Sequence, residues 1–324
     1  MLLNVYIVEH ILNVASLINK FKASLILPLL KKPNLDPNDL GNYRPIANLP
    51  FVSKVLERIV ADQLMCYVDS HHLLPGNQSA YRNFYSTETA LLKVLNDLLL
   101  AVVKGDEAVL LLLDYSAAFD TLDHTVLLQR LAKDYSITGT VLQWIDSYLQ
   151  DRTQRVIING TCSAPSALSC GVPQGSVIGP LLFLLYTGPL AKIITNHQGV
   201  NYAMYADDTQ IYLTMTPCGK IDAVNSLKDC LEDIKVWSTN NRLRLNERKS
   251  ELIHFSSQFR STAPLPDFTT EEGILQTSEY VRDLGVTLDK HHILSKAHKK
   301  RLQISVLGYI QNWKAQETTR QSLN

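Results

Sequence analysis

Net charge is the first thing this sequence lacks: 31 Lys and Arg balance 31 Asp and Glu across 324 residues. A balanced total argues neither for nor against a polyanionic partner, because such binding needs a local basic surface rather than a basic sum. Cysteine is sparse as well. The five present (Cys66, Cys162, Cys170, Cys218, Cys230) form no Cys-x-x-Cys pair and are odd in number, which reads as reduced thiols inside a cell without a zinc knuckle. Long apolar runs are missing too. Val156 to Ala191 carries no charge, yet Gly and Pro interrupt it and no 18-residue apolar span emerges. The opening Met1-Leu2-Leu3-Asn4-Val5-Tyr6 lacks the basic region of a secretory signal, and Glu9 and His10 arrive early. Neither membrane insertion nor secretion is expected, and no internal repeat is visible.

What is present is a globular composition, 46% hydrophobic and 19% charged, long enough for one large or two ordinary domains. Val52, Val55, Leu56, Ile59, Val60, Leu64, Met65 and Val68 trace one helical face after Pro50. Ser86 caps a second helix through Ala90, Leu91, Val94, Leu95, Leu98, Leu99 and Val102. Ile221, Val224, Leu227, Leu231, Ile234 and Trp237 trace a third. Strands are expected at Ala108–Leu113, Arg155–Ile158, Asn201–Thr214 and Glu251–Phe255, so the class is α+β.

The chemistry gathers around carboxylates. Tyr205-Ala206-Asp207-Asp208 forms a tight turn between two strand-like runs. Adjacent acids repel, and turn geometry gains nothing from the second that the first does not supply. A divalent cation removes that repulsion, because Mg²⁺ takes carboxylate oxygens together with substrate phosphates. Ala108–Leu113 is a continuous apolar run ending in Asp114. It suits a strand covered on both faces, although a buried helix segment fits the periodicity too. An acid at the end of a buried strand must be neutral, paired or on a metal. If these two segments are neighbouring strands, three carboxylates converge at one sheet end. Such a site can hold two cations, roughly 3.5–4 Å apart, that clamp both oxygens of a phosphoryl transfer.

Asp114-Tyr115-Ser116-Ala117-Ala118-Phe119-Asp120, then Gly171-Val172-Pro173-Gln174-Gly175-Ser176, then Tyr-Ala-Asp-Asp, resemble in residues and order the reverse transcriptase of LINE-type (non-LTR) retrotransposons. The similarity runs from about Leu29 to Asp289. The resemblance implies a right-hand polymerase with fingers, a ferredoxin-like palm sheet with helices, and a truncated thumb. It assigns metal binding to Asp114, Asp207 and Asp208. Phe119 would lie under the incoming sugar and exclude a 2′-hydroxyl, where RNA-dependent RNA polymerases usually carry a second Asp. Gln174 and Gly175 would touch the template base and the incoming nucleotide.

Leu243-Arg244-Leu245-Asn246-Glu247-Arg248-Lys249 resembles the block whose Lys protonates the departing pyrophosphate, which makes Lys249 the general-acid candidate. Val281-Arg282-Asp283-Leu284-Gly285-Val286 resembles the primer-grip hairpin, with Leu284 and Gly285 at the primer and Gly285 allowing close backbone approach. Asn42-Tyr43-Arg44-Pro45-Ile46 and Gln78-Ser79-Ala80-Tyr81-Arg82 resemble finger blocks, with Arg82 as a triphosphate contact. The family more often shows Gly-Phe-Arg followed by a second basic residue, a position held here by Tyr85. Asp123 has a simpler task, N-capping a helix over Val126, Leu127, Leu128 and Leu131.

The expected organisation is a lead-in over 1–24 and a reverse transcriptase domain over 25–288. Within that domain the fingers take about 25–108, the palm about 109–258 and the primer-grip hairpin about 274–288; 289–324 is a thumb remnant. The implied activity is RNA-directed DNA synthesis from dNTPs on an RNA template and a DNA primer, with two Mg²⁺ ions and Mn²⁺ able to substitute. The expected setting is intracellular, with no membrane partner. Basic surface candidates are Arg242, Arg244, Arg248 and Lys249, and the cluster Lys296, Lys299, Lys300 and Arg301. A second class of function stays open: a catalytically silent remnant of a retroelement that persists as a nucleic-acid-binding or structural domain. No endonuclease block is seen, and the chain is expected to be a fragment of a longer polyprotein.

Overall fold

The computed structural model describes residues 22–257, 263–270 and 273–290. Most of the lead-in and the Lys296–Arg301 cluster lie outside the described residues. The helices used below are α1 (Phe51–Ser70), α2 (Thr87–Lys104), α3 (His124–Lys133), α4 (Gly139–Leu149), α5 (Gly179–Thr187), α6 (Leu190–Thr195) and α7 (Lys220–Asn240). The longer strands are β1 (Ala23–Leu30), β2 (Tyr43–Asn48), β3 (Glu107–Leu113), β4 (Thr153–Ile158), β5 (Asn201–Tyr205), β6 (Asp208–Met215), β7 (Glu251–Phe255), β8 (Tyr280–Asp283) and β9 (Val286–Asp289). The chain forms two compact units.

The first unit takes the described residues up to Pro75, with Ala117–Pro189 and Ser238–Arg244. Its five-stranded sheet is built on the order β2-β1-β4, antiparallel between β1 and β2 and parallel between β1 and β4, with two-residue strands Thr161–Cys162 and Ser166–Ala167 pairing with β4. Helix α3 packs on α4 and α5. Asp123 caps α3 as expected, its Oδ1 accepting the Val126 N–H at 2.9 Å. Pro180 stands in the first turn of α5, where a missing N–H costs nothing. That helix is apolar all round, and every residue from Leu181 to Thr187 is buried.

The second unit takes Gly76–Ser116, Leu190–Trp237 and the described residues from Leu245 onward. Its four-stranded sheet has the order β7-β3-β6-β5, antiparallel throughout. Numbered within the unit, that order is 4-1-3-2, with α6 between the first and second strands and α7 between the third and fourth. This βαββαβ path is ferredoxin-like, as expected. Helix α2 covers the sheet with Leu91, Val94, Leu95, Leu98 and Ala101, which pack with Leu110, Tyr212, Ile253 and Phe255. Its start is set by a reciprocal cap: Ser86 Oγ accepts the Thr89 N–H, and Thr89 Oγ1 accepts the Ser86 N–H. The hairpin of β8 and β9 contributes Val281 and Leu288 to the same core. Burying this set offsets the entropy of ordering the sheet, at about 1.5–3 kcal/mol for each large apolar side chain. Among the described residues, no helix is long and apolar enough to cross a membrane.

Candidate active site

Strand β3 carries the first acid. All but one of its residues are buried, Leu112 being partly open, and the run stops at Leu113. Asp114 follows, with its backbone carbonyl accepting the Asn246 N–H at 2.8 Å. The last β3–β6 pair is Leu113↔Thr209. Asp114 is one residue past that pair on one side and Asp208 one residue before it on the other, so the two acids lie at the same end of the ladder. Like charges gathered at one end of a strand pair destabilise it.

The β5–β6 hairpin supplies the rest. Tyr205 pairs with Asp208, so the loop is only Ala206 and Asp207. Both acids were expected at the tip, but Asp208 is the first residue of β6 and Asp207 alone stays in the turn. Ala206 takes φ 58°, a place where glycine is the ordinary choice. The Asp208 carboxyl is pushed up to about 6, by burial first and then by the Asp207 and Asp114 charges. The Tyr81 phenol is raised by burial, then by the same Asp207 and by Tyr205.

A cavity of about 290 Å³ opens here, lined by Asp114, Asp208, Gln210, Lys249, Asp283 and Gly285 among others. Lys249 Nζ stands 4.0 Å from Asp114 Oδ2, with 67% and 42% of the two side chains exposed. Contact at that range and exposure is weak, and it leaves the ammonium free to move toward another anion. Leu284 and Gly285 form the β8–β9 turn on the cavity rim. No atom of the chain lies within 4 Å of a Cβ built at Gly285, and its φ of +85° itself favours glycine. Arg82 does not line the cavity. Its Nη1 donates to the Gln78 carbonyl at 3.1 Å, and the guanidinium lies 4.5 Å from the centroid of the Tyr85 ring.

Asp283 escaped the sequence reading. It is 4% exposed, accepts from Gln210 Nε2 at 2.8 Å, and is pushed up to about 7 by burial first and then by the Asp208 charge, with the Gln210 bond acting in opposition. Gln210 Oε1 and Asp283 Oδ2 are buried with no protein partner. The available signal was period-two alternation, since Val281 and Asp283 share the buried face of β8.

The donors suit a hard divalent cation. They are carboxylate oxygens, and the repulsion felt at Asp208 is what such an ion relieves. Among the described residues no three acidic, His or Cys side chains already stand grouped as a metal centre. The fit therefore lies in donor chemistry and strand register rather than in a finished cage.

Phe119, Gln174 and Gly175 belong to the first unit. Phe119 stacks on Phe183 of α5, with ring centroids 4.4 Å apart. The Gln174 carbonyl accepts the Ala47 N–H at 2.7 Å. Gly175 has φ +112°, and a Cβ there would meet the Ala47 carbonyl oxygen at 2.8 Å. The loop is also held from α1 by Glu57, whose Oε2 accepts the Val177 N–H at 2.7 Å while Ser53 donates to Oε1 at 3.0 Å. Glu57 was missed as well. Its signal was a Ser-x-x-x-Glu pair on the helix face that also buries Val60, Ala61, Leu64 and Val68.

The telomerase of Candida tropicalis, solved without ligand and truncated from its C-terminal domain, superposes with a TM-score of 0.57 at 13% identity, over 85% of this chain and 54% of that one. The telomerase of Candida albicans, in complex with a fragment of telomeric RNA, gives 0.56 at 11% identity, over 86% and 46%. These likenesses establish a polymerase fold. In sequence, the chain is 30% identical over 297 residues to the RNA-directed DNA polymerase from mobile element jockey of Drosophila funebris, covering 89% of this chain and 31% of that protein. It is 27% identical over 323 residues to the probable RNA-directed DNA polymerase from transposon BS of Drosophila melanogaster, covering 97% and 35%. The chain thus spans about a third of the length of these relatives, and the expected likeness to LINE-type enzymes holds. The family described as reverse transcriptase (RNA-dependent DNA polymerase) matches residues 30–310, nearly the whole chain, and the chain belongs to that family.

Proposed function

We propose that this chain is the RNA-directed DNA polymerase domain of a non-LTR retrotransposon, adding dNTPs to a DNA primer on an RNA template. The observation that carries the reading is the register that brings Asp114 and Asp208 to the same end of the β3–β6 ladder, with Asp207 in the adjoining two-residue turn. Asp114, Asp207 and Asp208 would hold two Mg²⁺ ions, with Mn²⁺ able to substitute. When bound, such ions polarise the attacking and leaving oxygens of a phosphoryl transfer.

The remaining roles belong to the chain's own side chains. Lys249 beside Asp114 is a mobile cation suited to neutralise and protonate the departing diphosphate. Arg82, backed by the Tyr85 ring, offers a planar fork for triphosphate oxygens. Phe119, braced by Phe183, is the bulky group that excludes a ribose 2′-hydroxyl. Gln174 and Gly175, in a loop whose backbone is held by Ala47, bear on the template base and the incoming nucleotide. Leu284 and Gly285 at the cavity rim receive the primer terminus.

The test is extension of a labelled DNA primer on an RNA template, with dNTPs and Mg²⁺ or Mn²⁺, for the wild type and Asp207→Asn. Metal-dependent extension that the substitution abolishes supports the reading. Absence of wild-type extension with RNA binding retained would favour the silent, nucleic-acid-binding remnant instead.

A further inference from the structure

The residue that holds the catalytic turn lies upstream of the sheet, in the segment leading to Arg82. Ala206 is 7% exposed and has φ 58°, so its amide cannot rely on water and its backbone needs an outside restraint. In a two-residue hairpin the first loop residue lies beyond the last ladder pair, here Tyr205↔Asp208. Its N–H must find a partner elsewhere. That partner is Gln78 Oε1, at 3.3 Å. The same oxygen accepts the Ala80 N–H at 3.0 Å. Both donors are backbone amides, so the oxygen end of the side chain must face them and the amide orientation is forced.

Gln78 is itself 2% exposed and locked in place. It forms a parallel bridge with Met204, in which Met204 donates to the Asn77 carbonyl and Ser79 donates to the Met204 carbonyl, each at 2.9 Å. Its own carbonyl accepts from Arg82 Nη1 at 3.1 Å. One residue thus touches both the turn that bears Asp207 and the arginine reserved for the triphosphate.

We propose that Gln78 is a positioning residue for catalysis, which through Ala206 sets the turn carrying Asp207 and Asp208 and through its carbonyl aims Arg82; the inference rests on the polymerase reading above. The residue type follows from the chemistry. The position needs an acceptor long enough to reach Ala206, and a neutral one, because Glu would add a third charge beside two repelling acids. Met has the length without the acceptor.

The experiment compares wild type, Gln78→Met and Gln78→Glu by single-turnover primer extension with active-site titration, and by amide hydrogen exchange of the peptide containing Ala206. A misplacement of about 1 Å at reacting groups costs on the order of 10²-fold in rate. Gln78→Met should therefore lose about that factor in rate per active site, need more Mn²⁺ for half-maximal activity, and expose the Ala206 amide to exchange. Gln78→Glu keeps the acceptor, so Ala206 should stay protected and part of the rate should return at saturating Mn²⁺. A wild-type rate per active site in Gln78→Met overturns the proposal, as does equal impairment and equal exchange in both variants. A purely structural role would lower the titrated fraction of active protein without changing the rate per site, and this too overturns it. If the wild type fails to extend primers, the polymerase reading falls, while the exchange comparison still decides whether Gln78 holds the turn.

Discussion

Asp283→Asn should stabilise the protein, and by an amount that grows with pH. The carboxyl is 4% exposed and pushed up to about 7, by burial and then by the charge of Asp208. An unfolded chain ionises it near 3.9. Between these values the folded state keeps a proton that the unfolded state has released, so this carboxyl's contribution to wild-type stability falls as pH rises from about 4 to about 7 and then levels off. From pH 5 to pH 8.5 the folded protein crosses about two units of that window. At about 1.36 kcal/mol per unit, this is a ceiling near 3 kcal/mol. Relaxation and water entry lower it, and a change above about 1 kcal/mol is expected. Asn keeps the oxygen that accepts from Gln210 Nε2 and stays neutral throughout. The assay is urea denaturation of both proteins at pH 5 and pH 8.5, in chelator so that no cation sits beside Asp208. An equal stability difference at both pH values would refute the reasoning, as would a variant less stable at pH 8.5 than at pH 5 relative to wild type.

Asp207→Asn should abolish metal-dependent extension while circular dichroism and the melting temperature stay near wild type, because Asp207 occupies a turn and supports no ladder pair. Retained incorporation would remove it from the metal site. Phe119→Val should raise use of rNTPs relative to dNTPs, measured as the ratio of kcat/KM values, and an unchanged ratio would dismiss the steric gate. Gly175→Ala combines φ +112° with a contact at 2.8 Å to the Ala47 carbonyl, whereas Gly285→Ala meets nothing within 4 Å and bears only its φ of +85°. Gly285→Ala should cost about 1–2 kcal/mol and Gly175→Ala clearly more. Equal melting temperatures for the two would show that the Ala47 contact is irrelevant.

Features set by neighbours in the chain were legible in the sequence. The apolar run into Asp114, the Ser86 and Asp123 caps and the hairpin around Asp207 each depend on residues a few positions apart, and each stands where the pattern put it. The location of Asp208 was read one step wrong. A two-residue loop closes at Tyr205↔Asp208, and loop length cannot be counted from composition alone. Partners distant in sequence were not legible. Asp283 meets Gln210 across 73 positions, and Glu57 meets Val177 across 120. A buried acid betrays itself in the pattern only as an anomaly, and its meaning depends on a donor that no local window contains. The pairing of Gln78 with Ala206 is the same case, visible only once β5 and the preceding segment lie side by side.

The sheet order has a consequence for how the site would come apart. β3 is bonded to a full strand on each side, whereas β5 has a strand on one side and, on the other, the single Gln78–Met204 bridge. Local opening in proteins proceeds through units of unequal stability, with doubly paired, buried segments opening last. Asp114 should therefore sit at the end of one of the slower-exchanging segments of its unit, and Asp207 beside a faster one. Mild denaturant or heat should first detach the turn from its partner acid, leaving a sheet with native spectroscopic signatures and no metal affinity. Activity would then be lost ahead of the cooperative melt, and the gap between the two midpoints would measure how firmly the edge hairpin is moored.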